Sequence, residues 1–325
     1  MRFGIIGTNY ISDRFLAALP FTSAKAVAVY SRKKETGDAF AVRHGIRSVY
    51  TSLETFFASD EFDAVYIASP NFLHKEQSIL ALRAGKHVLC EKPIAPSLRE
   101  FEEMKAVADE KGLVLVEAMR PTFDSAWERI AALLPSLGSI RSALFDYCQY
   151  SGRYDAFLSG TVKNAFNPAL SNAALLDIGV YPVSVAARLF GKPKAVKSQS
   201  FLLKNGFEGG GSILLAYEGF SAVINYSKVC DSASPSFIIG EKGSVTIDRI
   251  SEPKKAVIKM RTGEESILSF DIGEAPDNMF YEINAFSALV ADRKTDAVDA
   301  ISRNTLFVMD EVRGENGIVF PSDKL

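Results

Sequence analysis

Between residues 3 and 118, short apolar runs alternate with segments of helical spacing, and few architectures accommodate that order. The runs Phe3–Ile6, Lys25–Ser31, Ser48–Tyr50, Ala64–Ser69, His87–Cys90 and Leu113–Ala118 read as strands. The intervening segments Ile11–Leu19, Lys33–Arg43, Ser52–Ala58, Leu73–Ala84 and Ser97–Glu110 read as helices. Ala64-Val65-Tyr66-Ile67-Ala68 is apolar at every position, as a strand covered on both faces must be. The pattern predicts an α/β domain built on a doubly wound parallel sheet.

In such a sheet the turn after the first strand is the expected phosphate site. Here it reads Gly7-Thr8-Asn9-Tyr10-Ile11-Ser12 against the fingerprint Gly-x-Gly-x-x-Gly/Ala. Gly7 suits the tight turn. Asn9 stands where the second glycine would be, and Asn tolerates the left-handed region that such a turn would ask of it. Ser12 is small enough for close helix packing. The amides of Gly7, Thr8, Asn9, Tyr10 and Ile11 then face the phosphates. The second strand ends in Tyr30-Ser31-Arg32-Lys33-Lys34, with no acid before Glu35. An acid there would accept from ribose hydroxyls. Ser31 and Arg32 instead suit a 2′-phosphate, which favours NADP over NAD, with NAD possible.

From residue 120 onward the pattern changes. Ile140–Tyr150, Ala195–Leu203, Ser212–Glu218, Phe220–Lys228, Ser236–Ile239, Ser244–Asp248, Ala256–Met260 and Ser266–Phe270 read as strands, several joined by short turn signals. Short connections imply antiparallel pairing. Helical patterns span Asn172–Leu189, Asn278–Ala291 and Asp299–Arg313. Residues 120–325 are therefore expected to form an α+β domain on a large, mostly antiparallel open sheet, and residues 1–119 the nucleotide-binding domain. A broad sheet needs cover on its second face, which suggests a second subunit.

Two constellations carry chemistry. Glu91-Lys92-Pro93 closes the fifth strand, at the sheet edge where α/β proteins bind ligands. The proline keeps Lys92 out of the helical region and so aims it. Asp177 and Tyr181 are four residues apart on an apolar helix and would share one face, with Gly179 between them allowing a close approach. Trp127 reads as a packing residue, and His44 and His87 as structural ones.

Gly7-Thr8, Ser69-Pro70-Asn71-x-x-His74, Glu91-Lys92-Pro93, Glu117-Ala118-Met119 and Asp177-x-Gly-x-Tyr181 together resemble the Gfo/Idh/MocA oxidoreductases, in order and spacing, over essentially the whole chain. The Leu-Asp-Ile-Gly-Val-Tyr version is similar to the dihydrodiol and xylose dehydrogenase branch. The resemblance implies a Rossmann domain followed by a sheet domain that often mediates dimer contacts. It implies NAD(P)-dependent hydride transfer to or from a sugar, polyol or related hydroxy or carbonyl compound. It gives the leading catalytic role to Lys92, with Asp177 and Tyr181 supporting, and sets Ser69, Pro70, Asn71, His74, Glu91, Pro93 and Met119 beside the cofactor. The chain departs from the family pattern at Asn9, at Ser171-Asn172-Ala173 and at Arg120-Pro121-Thr122-Phe123. These departures touch the substrate more than the reaction. A non-catalytic NADP sensor of the same fold, or a reductase of a non-carbohydrate carbonyl or imine, is the alternative.

Composition narrows the partners. The formal net charge is −2, with 37 Lys and Arg against 39 Asp and Glu, so no basic nucleic-acid surface is expected. No apolar run reaches bilayer length, so no membrane partner is expected. The N-terminus lacks the order of a signal peptide. Three cysteines at wide spacing form neither a disulfide framework nor a metal-ligand set, which places the chain in a reducing cytoplasm.

Overall fold

The structure, a computed structural model, describes residues 1–324. The chain divides into two compact units. The first comprises Met1–Arg120 and Ile272–Asp299, and the second Pro121–Asp271 and the chain from Ala300 on. The first unit thus also takes in a segment that follows most of the second in sequence.

The first unit holds β1 (Arg2–Ile6), β2 (Lys25–Tyr30), β3 (Ser48–Tyr50), β4 (Ala64–Ile67), β5 (His87–Glu91) and β6 (Leu115–Ala118). They pair in the order β3-β2-β1-β4-β5-β6, and every pairing is parallel. Strand order reverses between β1 and β4. β4 and β5 are buried at every position, which explains their unbroken apolar runs. Phe15, from the helix Tyr10–Ala18, stacks on Tyr66 of β4 at 3.8 Å and meets Phe3 of β1 edge-on at 5.3 Å.

The returning segment forms the helix Met279–Asp292, whose buried residues are Met279, Glu282, Ile283 and Phe286. That is the i, i+3, i+4, i+7 stripe of a core-facing helix. Phe286 lies 5.7 Å from Phe3, ring centre to ring centre. Burial of this stripe is the physical reason the segment belongs with β1 rather than with the strands that precede it in sequence.

The second unit holds β7 (Ile140–Cys148), β8 (Ala195–Leu202), β9 (Glu208–Tyr217), β10 (Phe220–Ser227), β11 (Ser236–Gly240), β12 (Gly243–Ile247), β13 (Lys255–Met260) and β14 (Glu265–Ser269). The order is β14-β13-β12-β11-β7-β10-β9-β8, antiparallel except where β10 lies beside β7. Ile213, Phe145 and Ile224 are buried on one face beneath the helix Val180–Phe190. The opposite face carries a cross-strand row of Leu214, Val223, Leu144, Phe237, Val257 and Ile267, broken only by Thr246.

The expected helix Asn172–Leu189 is not regular. Leu175–Gly179 is a π-helical turn, and the α-helix starts only at Val180. The four-residue spacing of Asp177 and Tyr181 therefore does not describe one stripe of an α-helix, because a π turn winds more residues per turn. The helix Ser125–Leu133 goes unforeseen in the sequence; its Trp127 is fully buried, in keeping with a packing role. No helix among the described residues is long and apolar enough to cross a membrane.

Candidate active site

At the carboxyl ends of β1, β2 and β4 lies a groove of about 550 Å³. Its floor is the turn Gly7-Thr8-Asn9, one wall is Tyr30 to Lys33 with Thr36, and the other is Ala68-Ser69-Pro70 with Leu73 and Gln77. Gly7 has φ +109, and a Cβ there would lie 2.6 Å from the Ala68 carbonyl oxygen. Only glycine lets the turn pass this close to β4.

Asn9 corrects the sequence reading. Its backbone is extended, with φ −102 and ψ 178, so it never uses the left-handed region. It is the N-cap of the helix Tyr10–Ala18. Its side-chain oxygen accepts from the N–H groups of Ile11 (3.0 Å) and Ser12 (3.3 Å), and its amide donates to the Ala68 carbonyl at 2.6 Å. The Ile11 amide, expected to face phosphate, is thereby occupied. The backbone N–H groups of Thr8 and Asn9 carry no hydrogen bond among the described residues and remain for an anion.

Ser31 is buried at the groove, and its hydroxyl donates to the Lys33 carbonyl at 3.0 Å. Arg32 is exposed, and neither it nor Lys33 has a side-chain hydrogen bond or ion pair among the described residues. Two cations thus stand at the groove where one was expected. The signal for Lys33 was the run Arg32-Lys33-Lys34 itself.

Gly7, Thr8, Asn9, Ser31, Arg32, Ser69 and Pro70 share the groove; the other expected cofactor residues do not line it. The Tyr10 side chain is 71% exposed and Met119 is buried. Asn71 opens the short 3-10 turn Asn71–Leu73. His74 is buried, with Nδ1 2.9 Å from the Pro93 carbonyl oxygen and Nε2 2.8 Å from that of Ser69. It ties the loop after β4 to the loop after β5. Burial holds its pKa below the ordinary value, and a neutral imidazole donates to only one of the two carbonyls.

Lys92 is half-buried, and its peptide bond to Pro93 is cis. Glu91 beside it is buried; it accepts from the Tyr66 hydroxyl at 2.5 Å and from the Lys92 N–H at 3.2 Å. Burial pushes the Glu91 carboxyl up. Glu282 is fully buried, and neither of its oxygens has a hydrogen-bond partner among the described residues. Burial, and then the nearby Glu91, raise its pKa well above the ordinary value. The sequence offers no sign of this acid, which simply occupies a core position of a helical stripe.

In the second unit, Asp177 Oδ2 lies 2.5 Å from Lys228 Nζ. Gly179 admits the Tyr226 ring, which a Cβ there would meet at 3.1 Å. Tyr181 is buried and packs edge-on against Tyr147 at 5.5 Å. Glu208, buried on β9, accepts the N–H of Leu175 at 2.8 Å and so anchors the start of the π turn. Burial pushes the Glu208 carboxyl up to about 7. Ser171, one of the departures from the family pattern, takes the left-handed region at φ 54. Lys228 and Glu208 both escape a sequence reading, because strand pairing brings them to the turn from distant positions.

A glycine cradle at the switch point of a six-stranded parallel sheet, flanked by cations without partners among the described residues, defines a dinucleotide-binding protein. Residues 1–119 match the oxidoreductase family with an NAD-binding Rossmann fold, and residues 135–246 match the Gfo/Idh/MocA C-terminal domain. The chain belongs to the Gfo/Idh/MocA oxidoreductases, a family of NAD(P)-binding enzymes. It is 44% identical to the scyllo-inositol 2-dehydrogenase (NADP(+)) IolU of Bacillus subtilis, over 100% of this chain and 99% of that one. It is 29% identical to the human trans-1,2-dihydrobenzene-1,2-diol dehydrogenase, over 100% and 99%. A 3-ketoreductase from Actinomadura kijaniata, solved with NADP and TDP-benzene, superposes with a TM-score of 0.84 at 25% identity, covering 97% of this chain and 98% of that one.

Proposed function

We propose that this protein transfers a hydride between NADP and a hydroxyl-bearing or carbonyl carbon of a sugar or cyclic polyol. One observation carries the cofactor choice: Arg32 and Lys33 stand at the groove without side-chain partners among the described residues, and no acid competes at the end of β2. A 2′-phosphate would satisfy both cations, whereas a bare ribose would leave them idle. The NADP named for the Bacillus relative and bound in the 3-ketoreductase supports this reading.

When bound, the nicotinamide supplies or accepts the hydride. The ammonium of Lys92 would hydrogen-bond the reacting oxygen and stabilise its developing negative charge. Tyr181 would give or take the hydroxyl proton, and Asp177 would orient the substrate by a charge-assisted bond. We further read the protein as a cytoplasmic homo-oligomer. The apolar row on the open face of the eight-stranded sheet, with Leu214 46% and Ile267 53% exposed, supports a second copy there. Three unbridged cysteines suit a reducing compartment. Light scattering should then find more than one chain per particle.

The test of the cofactor reading is Arg32→Ala. Losing charge-assisted bonds to phosphate should weaken NADPH by roughly 10–100-fold in a fluorescence titration and leave NADH nearly unchanged. An equal loss for both nucleotides would remove the phosphate contact from the argument. Nicotinamide absorbance with a panel of inositols, diols and sugars separates turnover from mere binding.

A further inference from the structure

Lys228 is a buried cation that the mechanism above does not use. It follows β10 directly, and its backbone N–H donates to the Gly209 carbonyl at 3.0 Å. Its side chain is 5% exposed. Its Nζ lies 3.0 Å from the Ala165 carbonyl oxygen, 5.2 Å from the centre of the Phe166 ring and 5.7 Å from that of Phe207. Those rings belong to an aromatic cluster with Phe157 and Tyr154. The remaining contact is the 2.5 Å ion pair with Asp177.

The pair is asymmetric, and the asymmetry is informative. The ammonium end is enclosed, whereas the side chain of Asp177 is 40% exposed. Desolvating a lysine is expensive, and an ion pair that serves packing alone gains more from an apolar replacement. Here the enclosed cation is fixed by a carbonyl and two ring faces, so the position of its carboxylate partner is fixed with it. The backbone of the same turn is held separately by Glu208 through Leu175. The turn itself is π-helical, a geometry concentrated at functional sites.

We propose that Lys228 is a positioning residue for the reaction, holding the Asp177 carboxylate aimed at substrate from an aromatic cage formed by Phe166 and Phe207. The proposal rests on the reading of Asp177 as a group that orients substrate. An apolar residue in place of Lys228 would remove this ion pair from the carboxylate without touching the nucleotide groove, which lies wholly in the first unit.

The test is a double-mutant cycle on the full-length protein, with Lys228→Met, Asp177→Asn and their combination. The readouts are kcat/KM for scyllo-inositol with NADP, NADPH affinity by fluorescence, and thermal melting. Lys228→Met should lower kcat/KM by about 10–100-fold, the range for losing an outer group that orients a functional ligand, with NADPH affinity unchanged. In the Asp177→Asn background the same substitution should change kcat/KM little, because its target is gone. Lys228→Gln, which keeps a donor for Ala165, is read in the same way should the Met variant fail to fold. Wild-type kcat/KM in the Lys228 variants overturns the proposal. So does an equal loss in both backgrounds, which is the signature of a purely structural lysine. An Asp177→Asn protein with full activity overturns the role of Asp177 along with it, so the two failures are distinguishable.

Discussion

Replacing Glu208 by Gln tests whether a single buried acid sets the pH dependence of the second unit. Glu208 is 1% exposed, and burial moves its carboxyl from the ordinary 4.5 to about 7. The unfolded chain releases this proton near the lower value and the folded chain near the higher one. The folded state therefore binds more protons across that window. Its stability is full below about pH 4.5 and falls as pH rises through about 7. At about 1.4 kcal/mol per unit of displacement, the cost above the window is about 3 kcal/mol. A domain of 150–250 residues moves its melting midpoint by about 2–4 °C per kcal/mol, so the shift is about 6–12 °C. Gln accepts the Leu175 N–H as the carboxyl does but cannot ionise. Melting curves of the two proteins, followed by circular dichroism, should coincide near about pH 4 and diverge by about pH 8.5, with the Gln variant the more stable. Parallel curves across that range would refute the assignment of the titration to Glu208.

Three further outcomes are expected. Lys92→Ala should cut turnover by about 10²–10⁴-fold with NADPH binding nearly intact, and equal turnover would dismiss the lysine. Asn9→Gly trades the helix cap for free amides at Ile11 and Ser12; melting should drop slightly while NADPH binds at least as tightly, and a tenfold weaker Kd would contradict the capping account. Glu282→Gln removes an acid whose raised pKa makes it cost stability as pH rises, so the variant should melt higher than the parent at neutral pH; a lower midpoint would show that the carboxyl has a bonding role.

Much of this molecule is readable from its residues, and the boundary of what is readable has a physical cause. The unbroken apolar run at Ala64 announces a strand covered on both faces, and the parallel sheet follows from it. Gly7 announces a close approach because no other residue fits. Asn9 misleads, since its side chain can either tolerate a left-handed turn or cap a helix, and only the position of the first helical residue decides. Nor does the sequence show that the Ser31 hydroxyl donates to the Lys33 carbonyl, because that depends on how the loop after β2 turns. The π turn at Leu175–Gly179 leaves no mark in spacing. The Lys228–Asp177 pair and Glu282 depend on contacts between distant segments, which no local pattern encodes.

The return of Ile272–Asp299 to the first unit has a consequence for how the protein is made. At about 5–20 residues per second, a ribosome needs roughly 10–35 s to travel from residue 120 to residue 299. Throughout that delay the nascent nucleotide-binding half has all its strands but lacks the helix that sets Phe286 against Phe3. The half emerging first is thus the one that must wait for completion, with an apolar patch open to any holding factor near the exit tunnel, while the later sheet is still being synthesised.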